Sequence, residues 1–222
     1  MAELLTVPQS FALINTAPDG RRSMDAQRFD LGLGGAVLAD LALRGSISLR
    51  GDRVTVLDGG LTGDEVLDGV LGSIAATDSP KKAKWWVQRI GKRPLRDAVL
   101  GGLVARGLID EEQRRTLGIF TSTRHPERDG GPEALVRAAV ADVLAGRSQP
   151  SPYLASLIGL LDGTGSLRNQ FGPVDKVVVR GLVEGEWASP AVRAVLSDIQ
   201  MAAVMAGVVA STAATSATIS SS

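Results

Sequence analysis

The chain has no cysteine and a single histidine, His125. The first absence excludes disulfides, thiolate metal sites and cysteine nucleophiles, and suits a cytosolic protein. The second excludes a multi-histidine metal centre. A Ser-His-Asp triad stays arithmetically possible, but His125 sits in the turn-like Thr123-Arg124-His125-Pro126 with no acid at an obvious triad spacing, so a structural or surface role is expected. Aromatic residues are scarce, and there is no net charge: 24 Lys and Arg balance 24 Asp and Glu. No long-range field therefore draws the chain to nucleic acid or to an anionic membrane, and any polyanion site must be local.

Long apolar runs are also missing. The most apolar stretch, 199–210, is about 12 residues long where a spanning helix needs about 20, so contact with a membrane is possible and crossing is not expected. The opening MAELLTVPQSFALI carries an early Glu3 and no basic leader, and does not read as a signal peptide. Gly32-Leu33-Gly34-Gly35 fails to complete G-x-G-x-x-G, because Val37 takes the place of the third glycine. No P-loop, paired catalytic carboxylates or H-E-x-x-H occurs. The expectation is a protein without catalytic residues, metal or cofactor.

What is present is helical periodicity interrupted by short hairpins. At 222 residues one domain with a substantial core is expected. From Leu33, the residues Val37, Leu38 and Leu41 recur at helical spacing until Arg44-Gly45, where glycine suits a helix C-cap. Ile47 and Leu49 then alternate with polar residues, and Gly51-Asp52 separates them from Val54 and Val56, which predicts a hairpin with a type II′ turn. Thr62-Gly63-Asp64 offers N-caps for a helix carrying Val66, Leu67, Val70, Leu71 and Ile74. Pro94 opens a helix through Leu95, Val99 and Leu103 that closes at Arg106-Gly107; Leu108, Ile109 and then 116–123 can supply strands. The segments LADLALRGSIS and LGGLVARGLID, about 62 residues apart, hint at a repeated helix-plus-hairpin unit.

Beyond the Asp129–Pro132 break, amphipathic helices run through Leu135–Leu144 and Tyr153–Leu161. Val177-Val178-Val179 favours strand by propensity, yet its flanks fit a helix, and helix is the preferred reading. A long final helix is expected from Pro190 to Val209. The reading is thus mainly α: a single helical-bundle domain, 1–210, with small β-hairpins following helices, and a Ser/Thr/Ala-rich flexible tail at 211–222.

The chemistry concentrates in one segment. Lys81, Lys82, Lys84, Arg89, Lys92, Arg93 and Arg96 occur with no intervening acid. Such a run is commonly a solvated helix face. Arg93 and Arg96, however, straddle Pro94 at a helix start, where unpaired N–H groups and the helix dipole already favour an anion, and two guanidinium forks there suit a phosphate monoester. Trp85 and Trp86 could reach a lipid interface, but core positions for one or both are the preferred reading.

The ordered series LGLGGAVLADLALRGSISL, TGDEVLD, LRDAVLGGLVARGLID, IFTSTRHP and EWASPAVRAVLSDIQMAAV, spanning Ser10 to Val209, resembles the Golgi phosphoprotein 3 family. The resemblance implies a non-catalytic helical domain that binds phosphatidylinositol 4-phosphate at the cytosolic surface of a membrane and, in eukaryotes, acts as an adaptor linking Golgi glycosyltransferases to coat-vesicle sorting. It implies a headgroup site made by a tryptophan and an arginine from the first helical region plus two arginines three apart. The last pair falls on Arg93 and Arg96; the first falls on Asp25 and Gly34, which depart from the pattern. Lys92, Arg21 or Arg22 are the candidate compensating cations.

The resemblance also implies a hairpin for membrane insertion and self-association, falling on Leu117, Ile119 and Phe120 and running towards Arg124. The charged turn that follows suits interfacial contact or homo-oligomer pairing rather than deep insertion. Heavy use of Ala, Gly, Val and Arg points to a GC-rich bacterial gene, in which case the partner is an anionic phospholipid of a cell without a Golgi. Two other classes compete. A helix followed by a Gly-turn hairpin resembles a winged helix with Arg44, Arg50 and Arg53 as phosphate contacts, against which the neutral bulk charge counts and makes nucleic acid an unfavoured partner. The other is a plain oligomeric scaffold.

Overall fold

The computed structural model describes residues 5–50, 53–116 and 120–184. Its architecture follows from the burial of one helix, α2 (Ala26–Leu43), in which Phe29 and every residue from Leu31 to Ala42 is buried. Around it pack α1 (Val7–Ile14), α3 (Glu65–Ala75), α4 (Ala83–Ile90), α5 (Arg93–Ala105) and α7 (Pro152–Gly163). From Leu31 to Ala42 the helix is enclosed on every side and needs no amphipathic stripe, while its exposed first turn, Ala26 to Arg28, gives no apolar signal, so the sequence shows the helix only from Leu33. The helix begins earlier than Leu33, at an N-cap made by Asp25, whose carboxylate accepts the Arg28 N–H at 2.9 Å.

The opening helix α1 is buried along its whole length. Pro8 sits in its first turn, where a missing N–H costs nothing, and Thr6 with Gln9 forms a reciprocal capping box. One first-turn donor remains, the Val7 N–H, and it reaches across to α2. The Asp40 carboxylate, 4% exposed, accepts it at 2.7 Å and takes Arg44 Nε on its other oxygen. A carboxylate at the positive end of a buried helix is favoured by the dipole as well as by the hydrogen bond. Further along α1, the Ser10 and Tyr153 hydroxyls bond each other, tying α1 to α7, and burial pushes the Tyr153 phenol up to about 12.

Four helices end alike. Gly45, Gly107, Gly146 and Gly165 follow α2, α5, α6 (Gly131–Leu144) and α7 at positive φ, and the next residue's N–H returns to a carbonyl of the last turn: Ser46 to Leu41, Leu108 to Leu103, Arg147 to Asp142 and Ser166 to Leu161. The likeness between LALRGS and LVARGL is therefore what this cap demands, and it recurs at helices that no hairpin follows. That weakens the case for an internal repeat.

Both expected hairpins are present. β1 (Ile47–Arg50) pairs antiparallel with β2 (Arg53–Val56), Arg50 opposite Arg53, which is the register a two-residue loop sets; the turn residues themselves lie outside the described residues. β3 (Glu112–Thr116) pairs with β4 (Phe120–Arg124). The first strand of that hairpin is polar and starts later than expected: Leu108 is in no strand, and Ile109 makes only an isolated bridge to Glu127. Three helices had little signal in sequence, α1, α4 and the short α8 (Leu167–Phe171). Val177–Val179 lie in α9 (Lys176–Glu184), so the helical reading holds, with Val179 buried and Val177 exposed. The final helix expected at 190–209 and the tail at 211–222 fall outside the described residues. None of the described helices is long and apolar enough to cross a membrane.

Asp40→Ala leaves the Val7 N–H and Arg44 without their partner in a buried setting. Chemical denaturation should report a loss of about 2–4 kcal/mol of unfolding free energy. A loss below about 1 kcal/mol would mean that the tether contributes little.

Candidate anion-binding site

Helix α5 starts at an N-cap, Lys92, whose side chain makes no capping bond, and Pro94 occupies its first turn. Arg93, Arg96, Asp97 and Leu100 follow the i, i+3, i+4, i+7 spacing of one helix face. That face lines a cavity of about 740 Å³. The loop before α2 lines it with Arg21, Arg22 and Met24, and Asp25 and Ala26 extend that wall into α2; β4 adds Ser122, Thr123 and Arg124, followed by His125.

The two non-helical walls are stitched together. Backbone bonds run between them from Glu127 N–H to the Pro18 carbonyl at 3.0 Å and from His125 N–H to the Gly20 carbonyl at 3.4 Å, while the loop closes on itself through Ala17 N–H to the Arg21 carbonyl at 2.7 Å and the Thr16–Arg22 bridge. Gly20, at φ +78, lies against the His125 backbone so closely that a Cβ there would come within 2.5 Å of the His125 nitrogen. Glycine is thus required both by the dihedral and by the contact.

Arginines and carboxylates are interleaved in this cavity. Arg96 Nη1 donates to both oxygens of Asp30, at 2.8 and 3.0 Å, in a pair whose side chains are only 12% and 13% exposed. Its Nη2 takes no part in that pair. Arg93 is largely exposed and meets Asp97 at 3.2 Å. Arg21 meets Asp19 at 2.6 Å, and Arg124 approaches the same carboxylate at 3.9 Å. Burial raises the Asp30 carboxyl above its ordinary value, with the Arg96 charge and hydrogen bond opposing. Burial likewise lowers the His125 imidazole, with Glu111 at 3.9 Å opposing, so His125 is neutral at neutral pH. The arrangement can hold an oxyanion.

The remaining cations lie elsewhere. Lys92 lines a separate, more apolar groove with Val66, Val70, Arg89 and Leu95, so it does not join the cluster with Arg21 and Arg22. The basic run is therefore divided between two faces. Trp86 is a core residue at 3% exposure, while Trp85 meets it edge-on and stays at the surface near Lys81. Arg44 is engaged by Asp40, Arg53 donates to the Pro80 carbonyl at 2.7 Å, and α2 has no open face with which to enter a groove, all of which count against the winged-helix reading. On the β3–β4 hairpin, Leu117 and Ile119 lie outside the described residues, Phe120 pairs with Thr116, and Arg124 is on the cavity wall.

The family model described as Golgi phosphoprotein 3 (GPP34) matches residues 7–199. The chain belongs to that family. No curated protein matches it at a significant level.

In this Golgi phosphoprotein 3 family member the two departing positions have distinct fates. Asp25 lines the cavity and caps α2. Gly34 is buried where α2 meets the α4–α5 turn: a Cβ there would lie 2.9 Å from the Val87 carbonyl oxygen and 3.1 Å from Gly91 Cα. No side chain fits without moving backbone, so this position cannot reach a ligand. Asp30, the closest partner of Arg96, was not foreseen from sequence. It lies 66 residues away with no local pattern joining the two. Gly34→Ala should lower stability by about 1–3 kcal/mol by overpacking a backbone contact, read by thermal or denaturant melting. Unchanged stability would show that the helices separate freely.

Proposed function

We propose that the protein is a non-catalytic peripheral membrane protein, adaptor-like in role, that recognises phosphatidylinositol 4-phosphate or a related anionic phospholipid headgroup from the cytosolic side. The observation that carries this reading is the presence of Arg93 and Arg96 on one face of α5, lining the same cavity as Arg21, Arg22 and Arg124, in a chain that belongs to the Golgi phosphoprotein 3 family. A phosphate entering the cavity meets guanidinium forks already held by carboxylates, so little side-chain entropy is lost on binding.

The same β4 strand that lends Ser122, Thr123 and Arg124 to the cavity belongs to the hairpin whose sequence carries Leu117, Ile119 and Phe120. This supports a membrane contact in which headgroup and hairpin engage together, with the hairpin also available for pairing between copies. Bulk neutrality means that the attraction is short-range, and interfacial area must come from such apolar residues.

Removing Arg96 alone would leave Asp30 as an uncompensated, largely buried charge, and misfolding would then imitate loss of binding. The suitable variant is Asp30→Asn/Arg96→Gln combined with Arg93→Gln. In flotation with vesicles containing phosphatidylinositol 4-phosphate, wild type should float. The triple variant, with its melting behaviour checked, should stay at the bottom. Flotation of the triple variant equal to wild type would remove Arg93 and Arg96 from the site.

A further inference from the structure

Four of the arginines lining the cavity are paired with one of three carboxylates, Asp19, Asp30 and Asp97. Arg96 is held by Asp30, Arg93 by Asp97, and Arg21 and Arg124 both approach Asp19. Arg22 differs. Among the described residues its guanidinium forms no ion pair and no side-chain hydrogen bond, although its backbone is fixed by the bridge to Thr16.

Resting on the lipid-headgroup reading above, we propose that Arg22 is the specificity-determining cation of this cavity, closing on a phosphate monoester held from the other side by Arg93 and the free Nη2 of Arg96. An exposed arginine with nothing to bind is ordinary. An arginine beside a second arginine is not, because each positive charge raises the cost of the other. Arg96 has a carboxylate to offset its charge; Arg22 shares that carboxylate only at a distance. Its protonated form is disfavoured first by burial and then by Arg96, with Asp30 and Asp25 opposing.

Arg22 and Arg96 have the largely buried Asp30 as a common carboxylate, with Asp97 3.7 Å from Arg96 Nε, and an oxyanion between the two guanidiniums would relieve their mutual repulsion. A monoester suits better than a diester, since it brings two negative charges and three acceptor oxygens to forks on separate walls. Asp25, Asp97 and Glu111, which also line the cavity, have the opposite effect: they repel a diffuse anionic surface and leave the arginines as the points of attraction.

The full-length protein as wild type, Arg22→Gln, Arg22→Lys, Lys92→Gln and Arg93→Gln is titrated against two vesicle types matched in surface charge. One contains phosphatidylinositol 4-phosphate, a phosphomonoester, and the other phosphatidylglycerol, a phosphodiester. The expected result is a loss of about tenfold or more for Arg22→Gln on the monoester vesicles, little change on the diester vesicles, a smaller loss for Arg22→Lys, and no loss for Lys92→Gln. Arg22→Gln binding like wild type while Arg93→Gln fails would overturn the role of Arg22 and leave the headgroup site intact. Equal losses on both vesicle types would reduce Arg22 to general surface charge and overturn the specificity. Wild type that binds neither vesicle would overturn the site and this inference together.

Discussion

The contact between Gly34 of α2 and Gly91, in the turn from α4 to α5, is the constraint on which the site depends. A Cβ at Gly91 would lie 2.8 Å from the Asp30 carbonyl oxygen and 3.0 Å from Leu31 Cα, so the two backbones touch along almost a full turn of α2. Only glycine permits that approach. It sets the start of α5 beside Asp30, and Arg96, one turn into α5, meets the Asp30 carboxylate because of it. The buried ion pair is therefore a consequence of close backbone packing. Its energetic value is modest, but it fixes the direction of the Arg96 guanidinium, which is largely shielded from water.

The same contact explains how this family member arranges its cations. An arginine at position 34 is incompatible with backbone at 2.9 Å, so positive charge must enter the cavity from other walls. The loop at 16–25 supplies it, and that loop is held by pairing to the strand end at His125–Glu127 rather than by a helix. The interleaved acids keep the region near neutrality overall while leaving specific forks available. That is the arrangement expected of selective recognition, as opposed to adhesion to any negative surface.

Much of the fold was legible in the sequence where a helix has one buried face. The apolar spacing of α3, α5 and α6 and the glycine caps after Arg44 and Arg106 fall in the right places, and α7, although buried on every side from Ala155 to Leu161, is legible from its apolar run. Elsewhere legibility failed where burial is complete or absent. α1 is buried all round and carries Pro8, so it shows no stripe; β3 is a polar strand, exposed at Glu112, Gln113 and Arg114; and α2 is legible only from Leu33 because its first turn, Gln27 and Arg28, is solvated. At the site, local spacing was enough to bring Arg93 and Arg96 to one face of α5. The sequence also named Arg21, Arg22 and Lys92 as possible helpers, but only tertiary geometry separates Lys92 from the other two. Asp30 and Glu111 carry no local signal of their role, since their partners are distant or on another element.

The measurement that bears most directly on the central claim is a titration of the arginine side-chain Nε–Hε signals by NMR with a soluble short-chain phosphatidylinositol 4-phosphate. Saturable shifts confined to Arg22, Arg93 and Arg96, with Arg50, Arg89 and Arg147 unmoved, are the predicted result. Shifts spread evenly over the exposed arginines, or absent from Arg96, would contradict a built headgroup site at the start of α5.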